Sequence, residues 1–203
     1  MANTCCMTYQ LFAALLGFAF VTSVTPGPNN MMLMASGANF GFRRTIPHMV
    51  GISLGHGLMV FLVGLGLHGA IGAVPGLLSV MKVASVIYML WLAWKIAYSA
   101  APGLGKSTGQ PFSFWQAAAF QWVNPKAWAM ALGATSAYAP DEAVTSYLVI
   151  ACVFACVNLP SVSVWAYAGQ RLRQFLSNHV RLRAFNWTMA ALLVFSLIPV
   201  LLE

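Results

Sequence analysis

From Met1 to Phe42 this chain carries no charged side chain, yet Thr25-Pro26-Gly27-Pro28-Asn29-Asn30 stands in the middle of that run. An uncharged, largely apolar segment of this length predicts a membrane span, since crossing a bilayer takes about 20 apolar residues. Two prolines and a glycine predict a break in the helix at membrane depth. A freed backbone group in hydrocarbon costs on the order of 2–7 kcal/mol unless it is satisfied, so a broken helix persists only where protein or a polar cavity surrounds it. The break therefore marks a candidate site.

Composition extends the membrane reading to the whole chain. Its 203 residues are 60% hydrophobic and 6% charged, against about 25% charged in a soluble domain. Six largely apolar stretches, uncharged runs with their flanks at roughly 9–36, 45–68, 78–98, 112–137, 144–168 and 184–202, predict an all-α polytopic protein with six transmembrane helices. They are continuous rather than alternating, which argues against an outer-membrane barrel. Residues 1–203 read as one transmembrane domain. The N-terminus lacks the basic region of a secretory signal, so the first span is expected to be retained, and Cys5 and Cys6 have no context for lipid attachment.

The net charge of +7 does not point to nucleic acid, because of where it lies. Arg43 and Arg44 follow span 1, Lys95 and Lys106 flank the loop after span 3, and Arg171, Arg173, Arg181 and Arg183 fill the loop after span 5. Asp141 and Glu142 lie after span 4. Positive loops stay inside, so the odd loops are expected to be cytoplasmic and both termini periplasmic.

Span 4 contains Gln121-Trp122-Val123-Asn124-Pro125-Lys126, a second proline break. Each half of the chain, about 1–105 and 106–203, thus opens with a broken span. Three spans per half place the halves in opposite orientation, a 3+3 inverted repeat with broken helices 1 and 4, an arrangement of secondary transporters whose site lies between discontinuous helices. Proline suits the first position of a helix, so Pro28 and Pro125 each start a half-helix, with Thr25 and Asn124 as expected caps. The starts of half-helices attract a carboxylate and the ends of the preceding ones an ammonium group; a free amino acid has both. Lys126 is costly at membrane depth, about 2.5–3.5 kcal/mol, and with no internal carboxylate it must meet freed carbonyls of span 1 or a substrate.

With these motifs, Gly41-Phe42-Arg43, Gly51-x-x-x-Gly55 and Gly64-x-Gly66 make the chain similar to the lysine exporter/homoserine exporter superfamily. Trp91-Leu92-Ala93-Trp94-Lys95-Ile96-Ala97 and Phe112-Ser113-Phe114-Trp115 resemble the branch that exports cysteine and O-acetylserine. The resemblance implies a bacterial inner-membrane exporter of amino acids driven by proton motive force, an antiporter, and it puts Pro26, Gly27, Pro28, Asn124, Pro125 and Lys126 in the site. Members that handle basic amino acids tend to carry an acidic residue near the position of His56; its absence here favours a neutral substrate.

Asn29, Asn30, Gln121 and Asn158 complete the candidate binding set. His56 is the candidate for proton coupling, being intramembrane and titratable. His48 and His68 are expected at the interfaces, Gly51 and Gly55 at a helix contact, Asn158-Leu159-Pro160 as a kink interrupting span 5, and Cys152 and Cys156 as packing residues. Met31, Met32 and Met34 read as packing or lipid contacts, and Trp91, Trp94 and Tyr98 as an interfacial belt. The partners are a small amino acid and membrane lipid, a homodimer is an allowed assembly, and neither a cofactor nor a resident metal is called for. A metal-cation or other small-solute efflux carrier is the alternative. An intramembrane enzyme would need a nucleophile beside a base, and no such grouping is legible.

Overall fold

The computed structural model describes residues 7–99, 110–139, 141–176 and 178–198; Cys5, Cys6, Lys106 and Glu203 lie outside them. Every regular element among these residues is helical. Helix α1 (Tyr9–Val24) is capped by the Thr8 hydroxyl, which accepts from the Leu11 N–H. It ends at the predicted break, and α2 (Pro28–Phe40) leaves at a 55° bend with Pro28 as its first residue.

Gly41 turns the chain from α2 into α3 (Phe42–Leu62) at φ +84°, where a side chain would be strained. Gln170 accepts the Phe42 N–H at 2.6 Å and steadies this corner. Helix α3 runs on through a π-helical turn, Val63–Leu67, into the short α4 (His68–Gly72). Helix α5 spans Leu77–Ala97. In the second half, α6 (Phe114–Phe120) opens on a capping box between Ser113 and Gln116 and passes through a 3-10 turn, Gln121–Val123, into α7 (Pro125–Tyr138). Helix α8 (Val144–Leu172) is the longest, and α9 covers His179–Phe195.

One expectation changes here. Asn158-Leu159-Pro160 does not interrupt span 5: α8 is one 29-residue helix with Pro160 inside it. An isolated proline removes a single N–H donor, and neighbours held on several sides can keep the helix together. Among the described residues three helices are long and apolar enough to cross a membrane by themselves, Phe42–Gly72, Ser79–Ala97 and Val144–Leu172, and the bent α1–α2 pair counts as a fourth if it is one span. The predicted 112–137 span is divided at Gln121–Asn124, and α9 has 17 residues.

Without water between helices, association depends on close backbone approach and on polar contacts. Helix α8 packs on α1, α2 and α3, α3 on α6, and α5 on α9. Glycines make the tightest crossings. A Cβ on Gly51 would stand 2.3 Å from the Phe114 carbonyl oxygen, and one on Gly55 2.6 Å from Ala118 Cα, so this pair does serve helix contact. Met31 and Met32 are buried in the core shared by α2, α5, α6 and α9. Leu54, Leu58, Val83, Ile87 and Val164 point outward, as expected where lipid is the solvent.

Trp91, Trp94 and Tyr98 are exposed, as an interfacial belt requires, and His68 is exposed beside Trp128. His48, expected near the cytoplasmic interface, is turned inward. It is 2% exposed and packs against Phe112, because α3 turns this face toward α2 and the segment before α6. Cys152 and Cys156 are free and exposed on α8, so they face outward rather than filling the interior.

Candidate functional site

A break in a helix leaves carbonyls at the end of one piece and N–H groups at the start of the next. The carbonyls at the end of α1 are taken up by side chains from distant parts of the chain. Thr25 Oγ1 donates to Thr22 O at 3.0 Å, and Trp165 Nε1 of α8 to Val24 O at 3.0 Å. Asn30 Nδ2 donates to Ser23 O at 2.9 Å and Thr25 O at 2.7 Å. Lys126 Nζ, from the other half of the chain, donates to Thr25 O at 2.8 Å, Thr25 Oγ1 at 2.9 Å and Pro26 O at 3.3 Å. An ammonium has three donors, and all three are engaged. The sequence left Lys126 with either span 1 carbonyls or a substrate; in this conformation the carbonyls hold it.

The two helix starts differ. Asn124 caps α7, its Oδ1 accepting the Lys126 N–H at 3.2 Å. The residue preceding α2 is Gly27, which has no side chain to cap with. Thr25, expected to cap α2, instead serves the end of α1: Pro26 and the extended Gly27 lie between it and Pro28, and its hydroxyl points back along α1. The N-terminus of α2 is therefore the uncapped positive pole. Gly27 also admits the lysine, since a Cβ there would stand 2.7 Å from Lys126 Cδ.

Asn29 and Gln121 tie the breaks together. Asn29 Nδ2 donates to Gln121 Oε1 at 2.9 Å and Gln121 Nε2 to Asn29 Oδ1 at 3.2 Å, while Gln121 Nε2 also donates to Ala117 O. Ser85 of α5 donates to the Val123 carbonyl freed by the second break. These contacts explain why both breaks persist inside an apolar chain.

Around this junction lies a cavity of about 20 Å³, room for about one water molecule. Of the predicted residues, Gly27, Asn29, Asn30, His56, Gln121, Asn124, Lys126 and Asn158 line it. Pro26, Pro28 and Pro125 do not: Pro26 contributes its carbonyl to Lys126, and the other two start the half-helices. Thr22, Ser23, Ala127, Met130 and Val162 complete the wall and were not foreseen. For Thr22 and Ser23 a usable signal existed, because both are polar and lie within a turn of the break.

Buried polar side chains are normally paired. Here Ser23 Oγ, Asn30 Oδ1, Asn158 Oδ1 and both ring nitrogens of His56 are buried without a partner, and all four residues face the cavity. His56 rests edge-on against Phe154, ring centroids 5.2 Å apart. Lys126 is the charged side chain of the lining, which has no carboxylate. The cavity thus offers one cation, an uncapped helix start and several acceptors.

These features define a polytopic membrane protein whose polar site lies at the crossing of two interrupted helices. The chain belongs to the LysE type translocator family, whose model matches residues 20–200. Among curated proteins it is 32% identical, over 93% of this chain and 96% of the relative, to a cysteine/O-acetylserine efflux protein of Escherichia coli (strain UTI89 / UPEC). It is 31% identical, over the same shares, to the proteins of that name from Escherichia coli (strain K12) and Shigella sonnei (strain Ss046). No solved structure matches it significantly.

Proposed function

We propose that this chain exports small neutral amino acids or their derivatives, of the cysteine, O-acetylserine, homoserine or threonine type, from the cytoplasm across the bacterial inner membrane. The observation that carries this reading is the junction cavity. Its unpaired acceptors on Asn30, Asn158 and Ser23 suit an ammonium group, and Lys126 with the uncapped start of α2 suits a carboxylate. A lining without a carboxylate disfavours a second positive charge on the substrate. The relatives' efflux of cysteine and O-acetylserine agrees with this class.

The spans are read as a 3+3 inverted repeat with the arginine-rich loops cytoplasmic and both termini periplasmic; a homodimer is compatible with this arrangement. A cavity this small is a closed site, so transport requires the halves to rock apart around it, first to one side and then to the other. The Lys126 contacts with Thr25 and Pro26 join the halves and must loosen when substrate enters. A metal-cation carrier fits less well, because Cys152 and Cys156 are exposed on α8 and leave the His56 imidazole and the Met130 thioether, without a carboxylate, as the metal-ligating side chains of the cavity.

Overexpression in bacteria loaded with amino acids as dipeptides tests the substrate class. The expected result is accumulation of cysteine, O-acetylserine or a similar neutral amino acid in the medium. A medium unchanged from the empty-vector control would sink the exporter reading and raise the alternative of another small solute.

His56 is the proposed proton carrier of an antiport cycle. In proteoliposomes, His56→Phe is expected to abolish the acceleration of export by an imposed pH gradient while exchange of substrate for substrate continues. A variant that still responds fully to the gradient would clear His56 of coupling.

A further inference from the structure

Among the described residues, buried side-chain polar atoms without a partner occur on Ser23, Asn30, His48, His56 and Asn158. The central cavity accounts for four of these residues. His48 does not line it. Both of its ring nitrogens are unpaired, and it lines a second, much larger cavity of about 210 Å³.

This cavity lies between α2, the first half of α3, the end of α5 and the segment leading into α6. Leu92 and Phe112 give it apolar walls, and Asn39 and Ser99 add polar edges. Lys95 also lines it, its ammonium held 5.2 Å from the Trp91 ring centre and 5.4 Å from that of Phe112. No ion pair engages Lys95 among the described residues. Arg43 and Arg44 begin α3 at this end of the molecule, the end that charge bias assigns to the cytoplasm.

The two cavities share their scaffold. Helix α2 presents Asn30 to the central one and Asn39 to the second; α3 presents His56 to one and His48 to the other. Met31, Met32 and Met89 are buried with Phe120 in the core shared by α2, α5, α6 and α9, which borders the second cavity at Met32, Leu92 and Phe112. Methionine repacks readily, so this side of the cavity is deformable rather than a rigid wall.

We propose that the second cavity is a cytoplasmic loading site. It takes a small zwitterionic amino acid, its carboxylate at Lys95 and a polar group at His48, before the molecule passes the methionine-rich core to the Lys126 junction. This rests on the exporter reading and adds a site to it.

The test is export kinetics in proteoliposomes with radiolabelled cysteine or O-acetylserine varied on the loading side. Lys95→Gln is expected to raise KM about tenfold, the loss of one charge-assisted contact, with the maximal rate retained. Lys95→Arg is expected to restore the wild-type KM. His48→Asn is expected to raise KM similarly; should it fail to fold, Lys95, being exposed, still provides the test. Arg181→Gln, an exposed charge in the first turn of α9, controls for surface potential and is expected to change nothing. An unchanged KM in Lys95→Gln, or an equal rise in Arg181→Gln, overturns the loading site and leaves the exporter reading standing. A wild-type protein that moves no amino acid overturns both.

Discussion

Lys126→Ala is expected to reach the membrane folded and to lose export almost completely. Two terms of similar size oppose one another in folding. Removing the lysine relieves an insertion cost of about 2.5–3.5 kcal/mol. It also strips the Thr25 and Pro26 carbonyls of a donor, at about 1–3 kcal/mol for groups left unsatisfied. Asn30 still serves Thr25 O, so the break in α1–α2 survives. Export has no such compensation. Lys126 is the cation of the cavity and joins the two breaks directly. On the proposed rocking motion, its loss deprives a substrate carboxylate of its counter-charge and unlinks opening of the halves from substrate. The measurement is initial export rate in proteoliposomes, with a monodisperse gel-filtration peak in detergent as the folding control. Export at the wild-type rate would remove Lys126 from the mechanism.

Gly37→Ala is expected to have the largest effect on folding. A Cβ at Gly37 would stand 2.0 Å from the Ala166 carbonyl oxygen. The crossing is reciprocal, because a Cβ at Gly169 would stand 2.1 Å from that of Met34. In both cases the obstacle is backbone inside a helix, which has no rotamer with which to yield. Helices α2 and α8 must therefore separate, at a cost of about 1–3 kcal/mol or more. That corresponds to a fall in melting temperature of about 2–10 °C for a chain of this size. Because α2 carries Asn29 and Asn30 and α8 carries Asn158, separation also displaces the site, and export should fall with stability. Gly169→Ala should behave alike. Gly17→Ala, where nothing lies within 4 Å of the added methyl, is the neutral control. Melting of detergent-solubilised protein gives the answer, and a Gly37→Ala variant that melts with the wild type would show that the helices do not cross so closely.

The breaks were legible because proline and glycine act locally: Pro28 and Pro125 start helices for reasons contained in their own rings, and Asn124 caps within two residues. Lys126 was legible by elimination, since a chain with three acidic residues and none in its spans leaves a buried lysine only carbonyls or a substrate. Thr25 was misplaced because Thr25 and Gly27 both stand before Pro28, and the direction of the hydroxyl decides which helix it serves. Pro160 was misread because a proline breaks a helix in isolation, whereas α8 is held by α1, α2 and α3. The burial of His48 was not legible, because it depends on which face of α3 meets Phe112.

Taken alone, the amino-acid order determined that the chain is helical and membrane-embedded, that two of its spans are interrupted, and that its internal charge is positive. These are properties of residues and their immediate neighbours. Only the tertiary structure decided that Asn29 pairs with Gln121, that Lys126 seals the end of α1, and that Ser23, Asn30, His56 and Asn158 share one wall with unpaired polar atoms. Each of those depends on two distant helices meeting at a particular height and rotation. The glycine contacts of α2 with α8 and of α3 with α6 set that register.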